Sequence, residues 1–196
     1  MLTNLARTWG AKVAQPVARL LSRLGLTPNG ATLLGFLMTV AVAVLIALGS
    51  IRLGGVLLIL TLAFDAVDGT MARISGSVTR FGGVLDSTLD RWAEISIYGA
   101  LVWYYLHAGL NTGVLLATAA MATSLMVSYT RARAEGAGFV LKEGLLTRLE
   151  RLVILILGFI AGSNLTLLAL LIISILAAFT ALQRLWVVRQ MDRATK

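Results

Sequence analysis

Nine acidic residues occur in this 196-residue chain, and five of them, Asp65, Asp68, Asp86, Asp90 and Glu94, fall between positions 65 and 94. Asp65 and Asp68 stand three residues apart and Asp86 and Asp90 four apart. On helices, each pair therefore projects from one side, about one turn apart. The two stretches are joined by a short turn and must run antiparallel, which brings both pairs toward the same end. Four ionised carboxylates sharing a small volume repel strongly in reduced dielectric. One or two divalent cations would relieve that repulsion. The chain has no cysteine and a single histidine, His107, so ligation would be by oxygen alone. That favours Mg²⁺ or Mn²⁺ over zinc, with coordination positions left for phosphate oxygens. The competing reading is an ion-pair network of Asp65, Asp68 and Asp90 with Arg73 and Arg91 that locks helices together; it calls for acids matched one for one by bases.

Small residues accompany the acids. Gly69 follows Asp68, Ala72 lies one turn on, and Gly82 with Gly83 opens the next apolar stretch. Glycine inside a helix costs about 1 kcal/mol relative to alanine, which implies that something approaches the backbone closely. A nucleotide fits that description. Tight helix packing competes for any one glycine, but does not account for their placement beside the carboxylates.

The elements that must carry these residues are membrane helices. The chain is 58% hydrophobic and 13% charged, with mean hydropathy +0.88, far from the balance of a soluble domain. Six apolar stretches are expected near 31–50, 53–74, 82–106, 112–134, 149–163 and 165–187, each of about the length that crosses a bilayer as a helix. The expected fold is all-α, one transmembrane domain over residues 1–196 with no room for a second globular domain. The composition excludes a disordered chain, a disulfide-stapled module and a soluble dinucleotide-binding enzyme.

The segment before the first span, residues 1–29, reads as a juxtamembrane amphipathic helix. Leu5, Trp9, Val13, Val17, Leu20 and Leu24 share one face, with Arg7, Lys12, Arg19 and Arg23 elsewhere and a bend at Pro16. A helix packed on the end of the bundle is an equal alternative. Charge interrupts the apolar run, so it is not read as a signal peptide. Positive residues set the orientation. One side would carry Arg7, Lys12, Arg19, Arg23, Arg73, Arg80, Arg131, Arg133, Lys142, Arg148 and the C-terminal basic residues, the loops of the other only Arg52 and His107. Both termini and the 74–81 and 135–148 turns are therefore expected in the cytoplasm. The net charge of +8 reads as topology and attraction to anionic lipid. No soluble basic surface or stacking module suggests nucleic acid as a partner.

The residues Asp65-x-x-Asp68-Gly69-x-x-Ala72-Arg73, then eight residues, then Gly82-x-x-x-Asp86-x-x-x-Asp90, resemble the signature of the CDP-alcohol phosphotransferases. These are membrane enzymes with six transmembrane helices, and every signature position is filled. The resemblance covers essentially the whole chain. It implies attack by an alcohol hydroxyl on the β-phosphorus of a CDP-activated lipid, with CMP leaving. By that resemblance Asp65, Asp68 and Asp86 are principal metal ligands, for two ions, and Asp90 is both a ligand and the general base. Gly69, Ala72 and Gly82 would line the CDP site with Asp68, and Arg73 would lie near the pyrophosphate. Pro28, Asn29 and Thr32 resemble a further family feature near the nucleotide. Read plainly, Thr27-Pro28 is a helix start, with a capping threonine before proline at the first position. A homodimer is likewise implied by the family, and the small-residue faces on the third and fourth spans permit one.

Acceptor choice rests on other residues. Arg131, Arg133, Arg151 and Arg184 all lie near the expected cytoplasmic ends of spans and together make a second anion site; arginine's bidentate geometry favours a phosphorylated acceptor. Ordinary positive-inside flanking charge competes for any one of them. The text from Ser128 to Glu135, with Glu150-Arg151 and Gln183-Arg184, resembles the bacterial phosphatidylinositol phosphate synthases. There the corresponding serine and basic residues hold the phosphate of inositol 1-phosphate; members often carry lysine where this chain has Arg131, a charge-preserving departure. The implied substrates are CDP-diacylglycerol and a phosphorylated polyol. The alternative within the family is phosphatidylglycerophosphate synthase, which uses sn-glycerol 3-phosphate. Outside it stands a cation-coupled transporter, disfavoured because the acids lie near helix ends and neither proline falls inside a span. Trp103, Tyr104 and Tyr105 read as an outer aromatic belt, and His107 beside them as a solvent or headgroup residue. Glu94 is expected either to support Asp90 or to pair with Arg91.

Overall fold

The computed structural model describes residues 15–141 and 144–194. These are all-helical, with no strand among them. α1 is described over residues 15–23. It is followed by α2 (Pro28–Ala47), α3 (Ile51–Ile74), α4 (Arg80–His107), α5 (Asn111–Gly136), α6 (Arg148–Ala161) and α7 (Ser163–Ala194). Each expected apolar stretch coincides with one helix from α2 to α7. The last runs on to Ala194 instead of stopping near 187, because Arg189, Asp192 and Arg193 are good helix formers or solvated at the end of a helix already nucleated. α2, α5 and α7 are long and apolar enough to cross a membrane. α6 has 14 residues, while α3 and α4 carry the acids. Apolar side chains such as Leu37, Val56, Leu115 and Ile175 are exposed, as contact with hydrocarbon requires.

The amphipathic helix expected from Leu2 lies largely outside the described residues. Within them, Ala18 is fully buried in a cluster with Ala31, Val67 and Met71, joined by Leu21, whereas Leu20 and Leu24 are exposed. The described part of α1 is thus packed on one side against α2 and α3.

The chain divides into two units, residues 1–97 and 98–196. In the first, Thr27 Oγ1 accepts from Gly30 N at 3.1 Å and Pro28 stands in the first turn of α2, so the capping signal is used as read. α2 and α3 form an antiparallel hairpin turning at Gly49, whose φ of 93° suits glycine. A Cβ on Gly54 would stand 2.4 Å from Ile46 Cγ1, so this glycine lets the two helices close. The same packing sets Gly35 of α2 against Phe64 and Asp65 of α3, which fixes the level of the first carboxylate pair.

In the second unit α5 packs along α7. The buried positions of α5 are Gly113, Ala117, Ala120, Ser124, Val127, Thr130 and Ala134, spaced three and four apart as a helical seam demands. Those of α7 include Ala169, Ile173, Ala177, Thr180 and Arg184. The small face of α5, expected to be available for a dimer, is therefore used against α7. α6 begins with a capping box in which Thr147 and Glu150 hold each other's backbone. It turns into α7 where Gly158 meets Thr166 and Ala169.

Candidate active site

In the first unit a cavity of about 260 Å³ opens where the start of α2, the end of α3 and the start of α4 converge. It is lined by Pro28, Asn29, Thr32, Asp68, Gly69, Ala72, Arg73 and Gly82. These are the eight residues expected from the sequence around a CDP-lipid, drawn from three helices. Asp86 and Gly83 of α4 join them, with Ser77, Val78 and Thr79 from the α3–α4 turn. Of these, Ser77, Val78 and Thr79 were not singled out in the sequence. Thr79 left a usable signal, since a threonine immediately before the first residue of a helix is an N-cap, and its Oγ1 accepts from Gly82 N at 2.9 Å.

The glycines divide by what surrounds them. A Cβ on Gly69 would meet only Arg73 Nη1, at 3.6 Å, and one on Gly83 would meet nothing within 4 Å. Packing within the described residues does not demand glycine at either, and both line the cavity. At Gly82 a Cβ would stand 3.0 Å from Thr79 Oγ1 and 3.2 Å from Asn29 Oδ1; here close approach of α2 to α4 is itself the reason. Arg73 is steadied by Nη2 donating to Thr70 Oγ1 at 3.0 Å.

The carboxylates are graded in depth. Asp68 is 8% exposed; Gly69 N donates to its Oδ1, and the Thr32 side chain hydrogen-bonds it. The Thr32 hydroxyl also donates to Pro28 O at 3.1 Å, so one proton serves a carbonyl and a carboxylate. Asp65 and Asp86 both act electrostatically on Asp68. Asp65 is half-buried beside Gly35, and Asp86 is exposed at the cavity wall. Asp90 Oδ2 lies 3.6 Å from Arg91 Nη2, and Arg91 Nε lies 3.0 Å from Glu94 Oε2. Glu94 thus pairs with Arg91, which it shares with Asp90.

Two of the four aspartates, Asp68 and Asp86, line the cavity, where all four were expected to converge. Among the described residues no three Asp, Glu or His side chains stand within reach of one ion. One helical turn separates the members of each pair, about 5.4 Å of rise, and Arg91 draws on Asp90. The donor set nevertheless suits a hard divalent cation: three carboxylates repel one another around Asp68, every donor is oxygen, and a cavity that would admit phosphate adjoins them.

The second unit holds a basic cluster. Arg184 of α7 is 5% exposed and Arg151 of α6 is 1% exposed. Arg184 Nη1 donates to Val127 O of α5 at 2.6 Å, and Arg151 Nη1 to Leu146 O at 3.3 Å. Arg131 and Arg151 both act on Arg184 electrostatically, opposed by Glu135. Three guanidinium groups and one carboxylate leave an excess of positive charge suited to an anion. Arg131 Nε is paired with Glu135 Oε1 at 2.8 Å, both half-exposed. Ser128 stands one turn before Arg131, its hydroxyl donating to Ser124 O at 3.4 Å. Arg133 is exposed and, two residues beyond Arg131, projects from nearly the opposite side of α5. The structure therefore gathers Arg131, Arg151 and Arg184, and sets Arg133 apart. Gly144, which sequence reasoning passed over, abuts Arg184; nothing local signals a contact forty residues distant.

The aromatic belt is corrected in one member. Tyr105 is 1% exposed and its ring packs on Gly113, where a Cβ would stand 2.4 Å away. It is a core residue of the α4–α5 turn. Trp103 is exposed and stacks on His107 with ring centroids 4.2 Å apart.

Residues 25–186 match the family model described as CDP-alcohol phosphatidyltransferase. A phosphatidylinositol phosphate synthase of Mycobacteroides abscessus is 40% identical over 156 residues, covering 79% of this chain and 71% of that protein. One of Mycobacterium marinum is 36% identical over 200 residues, covering 97% and 86%. Among solved structures, the phosphatidylinositol phosphate synthase of Mycobacterium tuberculosis with CDP-DAG bound superposes with a TM-score of 0.86 at 33% identity, over 90% of this chain and 94% of that one. The same enzyme in complex with manganese and citrate gives a TM-score of 0.83 over 89% and 88%.

Proposed function

This chain belongs to the CDP-alcohol phosphatidyltransferase family, and we propose that within it the protein transfers the phosphatidyl group of CDP-diacylglycerol to inositol 1-phosphate. The products are phosphatidylinositol phosphate and CMP. One observation carries the reading: a single cavity is lined by the signature residues of α3 and α4 together with Pro28, Asn29 and Thr32 of α2. The acceptor assignment is supported by Arg131, Arg151 and Arg184 sharing one electropositive neighbourhood, and by relatives that are phosphatidylinositol phosphate synthases.

Each unit carries its own set of residues. In the first, Asn29, Gly69, Ala72, Arg73 and Gly82 hold the nucleotide, Gly69 by letting it approach the backbone. Asp65, Asp68, Asp86 and Asp90 would hold Mg²⁺ or Mn²⁺, two ions in this reading; a relative's structure contains manganese. Bound there, such ions neutralise phosphate charge as it redistributes during transfer. The Asp90 carboxylate accepts the proton of the attacking hydroxyl. A bond forms between that oxygen and the β-phosphorus while the bond from the β-phosphorus to the bridging oxygen breaks, so that CMP leaves. In the second unit Ser128, Arg131, Arg151 and Arg184 orient the acceptor's phosphate, with Arg133 at the periphery. α2 to α7 act as six membrane spans, with both termini and the site on the cytoplasmic side. The family's homodimer would use a face other than the buried seam of α5.

The test is purified protein with CDP-diacylglycerol, Mg²⁺ or Mn²⁺ and a panel of acceptors, reading CMP and the lipid product. Release dependent on inositol 1-phosphate is expected. Preference for sn-glycerol 3-phosphate would establish the phosphatidylglycerophosphate reading instead, and no CMP release with any alcohol would remove the enzyme.

A further inference from the structure

Arg184 is held from two directions. It ends the buried stripe of α7 that runs through Ile173, Ala177 and Thr180, and its Nη1 is fixed by Val127 O at 2.6 Å. On another side of the guanidinium lies Gly144, in the segment between α5 and α6. A Cβ at Gly144 would stand 2.7 Å from Nη2, 3.1 Å from Nε and 3.2 Å from Cζ. The shortest of these is closer than atoms approach without a hydrogen bond, so a side chain there and the present guanidinium position exclude each other.

Backbone conformation does not explain this glycine. Among the described residues the glycines with positive φ are Gly25, Gly49, Gly76, Gly109, Gly138 and Gly162; Gly144 is not among them. Nor can the segment simply draw back. Two residues on, Leu146 N donates to Thr180 Oγ1 of α7 at 3.2 Å, and Leu146 O accepts from the buried Arg151 Nη1 at 3.3 Å. Leu146 is itself 4% exposed in a cluster with Val127, Ala177 and Ala181. With the segment pinned to α7, the part that yields to a methyl group is the flexible end of Arg184. The fold can absorb that shift cheaply; a phosphate positioned by the guanidinium cannot, because bidentate recognition depends on the placement of its fork.

We infer that Gly144 is a positioning residue for the acceptor: its missing side chain leaves the space in which the Arg184 guanidinium is held to receive the acceptor's phosphate. This rests on the assignment of Arg184 to the acceptor site, which Arg184→Ala tests separately.

The experiment compares Gly144→Ala, Arg184→Ala, the double variant and Gly136→Ala, each purified and assayed for CMP release against inositol 1-phosphate and CDP-diacylglycerol. Gly144→Ala should raise the KM for inositol 1-phosphate about tenfold while kcat and the KM for CDP-diacylglycerol stay within about twofold. In the Arg184→Ala background the same substitution should add nothing, since the group it displaces is gone. Gly136→Ala, where a Cβ would meet nothing within 4 Å, should leave the acceptor KM unchanged. An unchanged acceptor KM in Gly144→Ala, an equal rise with and without Arg184, or a parallel loss for both substrates overturns the inference. If Arg184→Ala itself leaves the acceptor KM unchanged, the acceptor assignment falls and Gly144 with it.

Discussion

Asn29 of α2 and Gly82 of α4 meet at the cavity wall, where the asparagine Oδ1 lies 3.2 Å from the place a Cβ on the glycine would occupy. The Asn29 side chain therefore bridges the start of α2 to the bare backbone at the start of α4, beside the Thr79 hydroxyl that caps Gly82 at 2.9 Å. Nucleotide binding in this reading depends on that contact.

The cavity glycines should separate binding from stability in opposite ways. Gly69→Ala meets only the tip of Arg73, so it should hold or raise thermal stability, alanine being favoured by about 1 kcal/mol inside a helix. The added methyl nevertheless enters the cavity, and CDP-diacylglycerol affinity should fall at least about tenfold. Gly82→Ala should lower both, because it displaces Asn29 and the Thr79 cap. Thermal melts and CDP-lipid binding in the same detergent check the pair; full affinity in Gly69→Ala would place the nucleotide elsewhere.

Asp90→Asn should lower turnover by about 10²- to 10⁴-fold, the range typical for a lost general base, with CDP-diacylglycerol binding largely kept. The variant should fold, because Arg91 retains Glu94 at 3.0 Å. Single-turnover CMP release alongside equilibrium binding tests this, and near-normal turnover would reject Asp90 as the base.

Chelation should stop CMP release, and added Mg²⁺ or Mn²⁺ should restore it. The melting transition should move little by comparison. α2 and α3 are registered by Gly54 against Ile46 and by Gly35 against Phe64, contacts that owe nothing to a cation. Full turnover in excess chelator would exclude the metal-dependent reading; a protein that unfolds on chelation would show the ion to be structural.

Glu135→Gln should lower the KM for a phosphorylated acceptor about two- to threefold, because Glu135 occupies Arg131 at 2.8 Å and opposes the cluster's charge. The effect is small since the pair is half-exposed and such ion pairs contribute little. Stability should be unchanged. A raised KM would mean that Glu135 contacts the acceptor itself.

The helices and the cavity residues were legible because both rest on short-range order. Apolar runs of bilayer length report helices whatever their neighbours. Spacings of three and four put Asp65 with Asp68, and Asp86 with Asp90, on common faces through helix geometry alone. The cap at Thr27-Pro28 is equally local, and it turned out to be compatible with those residues lining the cavity. Thr79 was within reach of the same rules.

What could not be read in advance depended on contacts between distant segments. Tyr105 looks like a member of an interfacial belt until Gly113 provides a bed for its ring. The small face of α5 looks free for a partner until α7 covers it. Aspartate spacing names the carboxylates that share a face, but which of them reach one cavity depends on how α2 sets the level of α3 and on Arg91 holding Asp90. Arg133 and Arg131 carry the same charge two positions apart, and only packing against α6 and α7 decides which of them stands beside Arg184. Periodicity along one helix fixes direction about its own axis, whereas distances across helices come from side chains of several elements fitting at once, as Gly144 and Arg184 do.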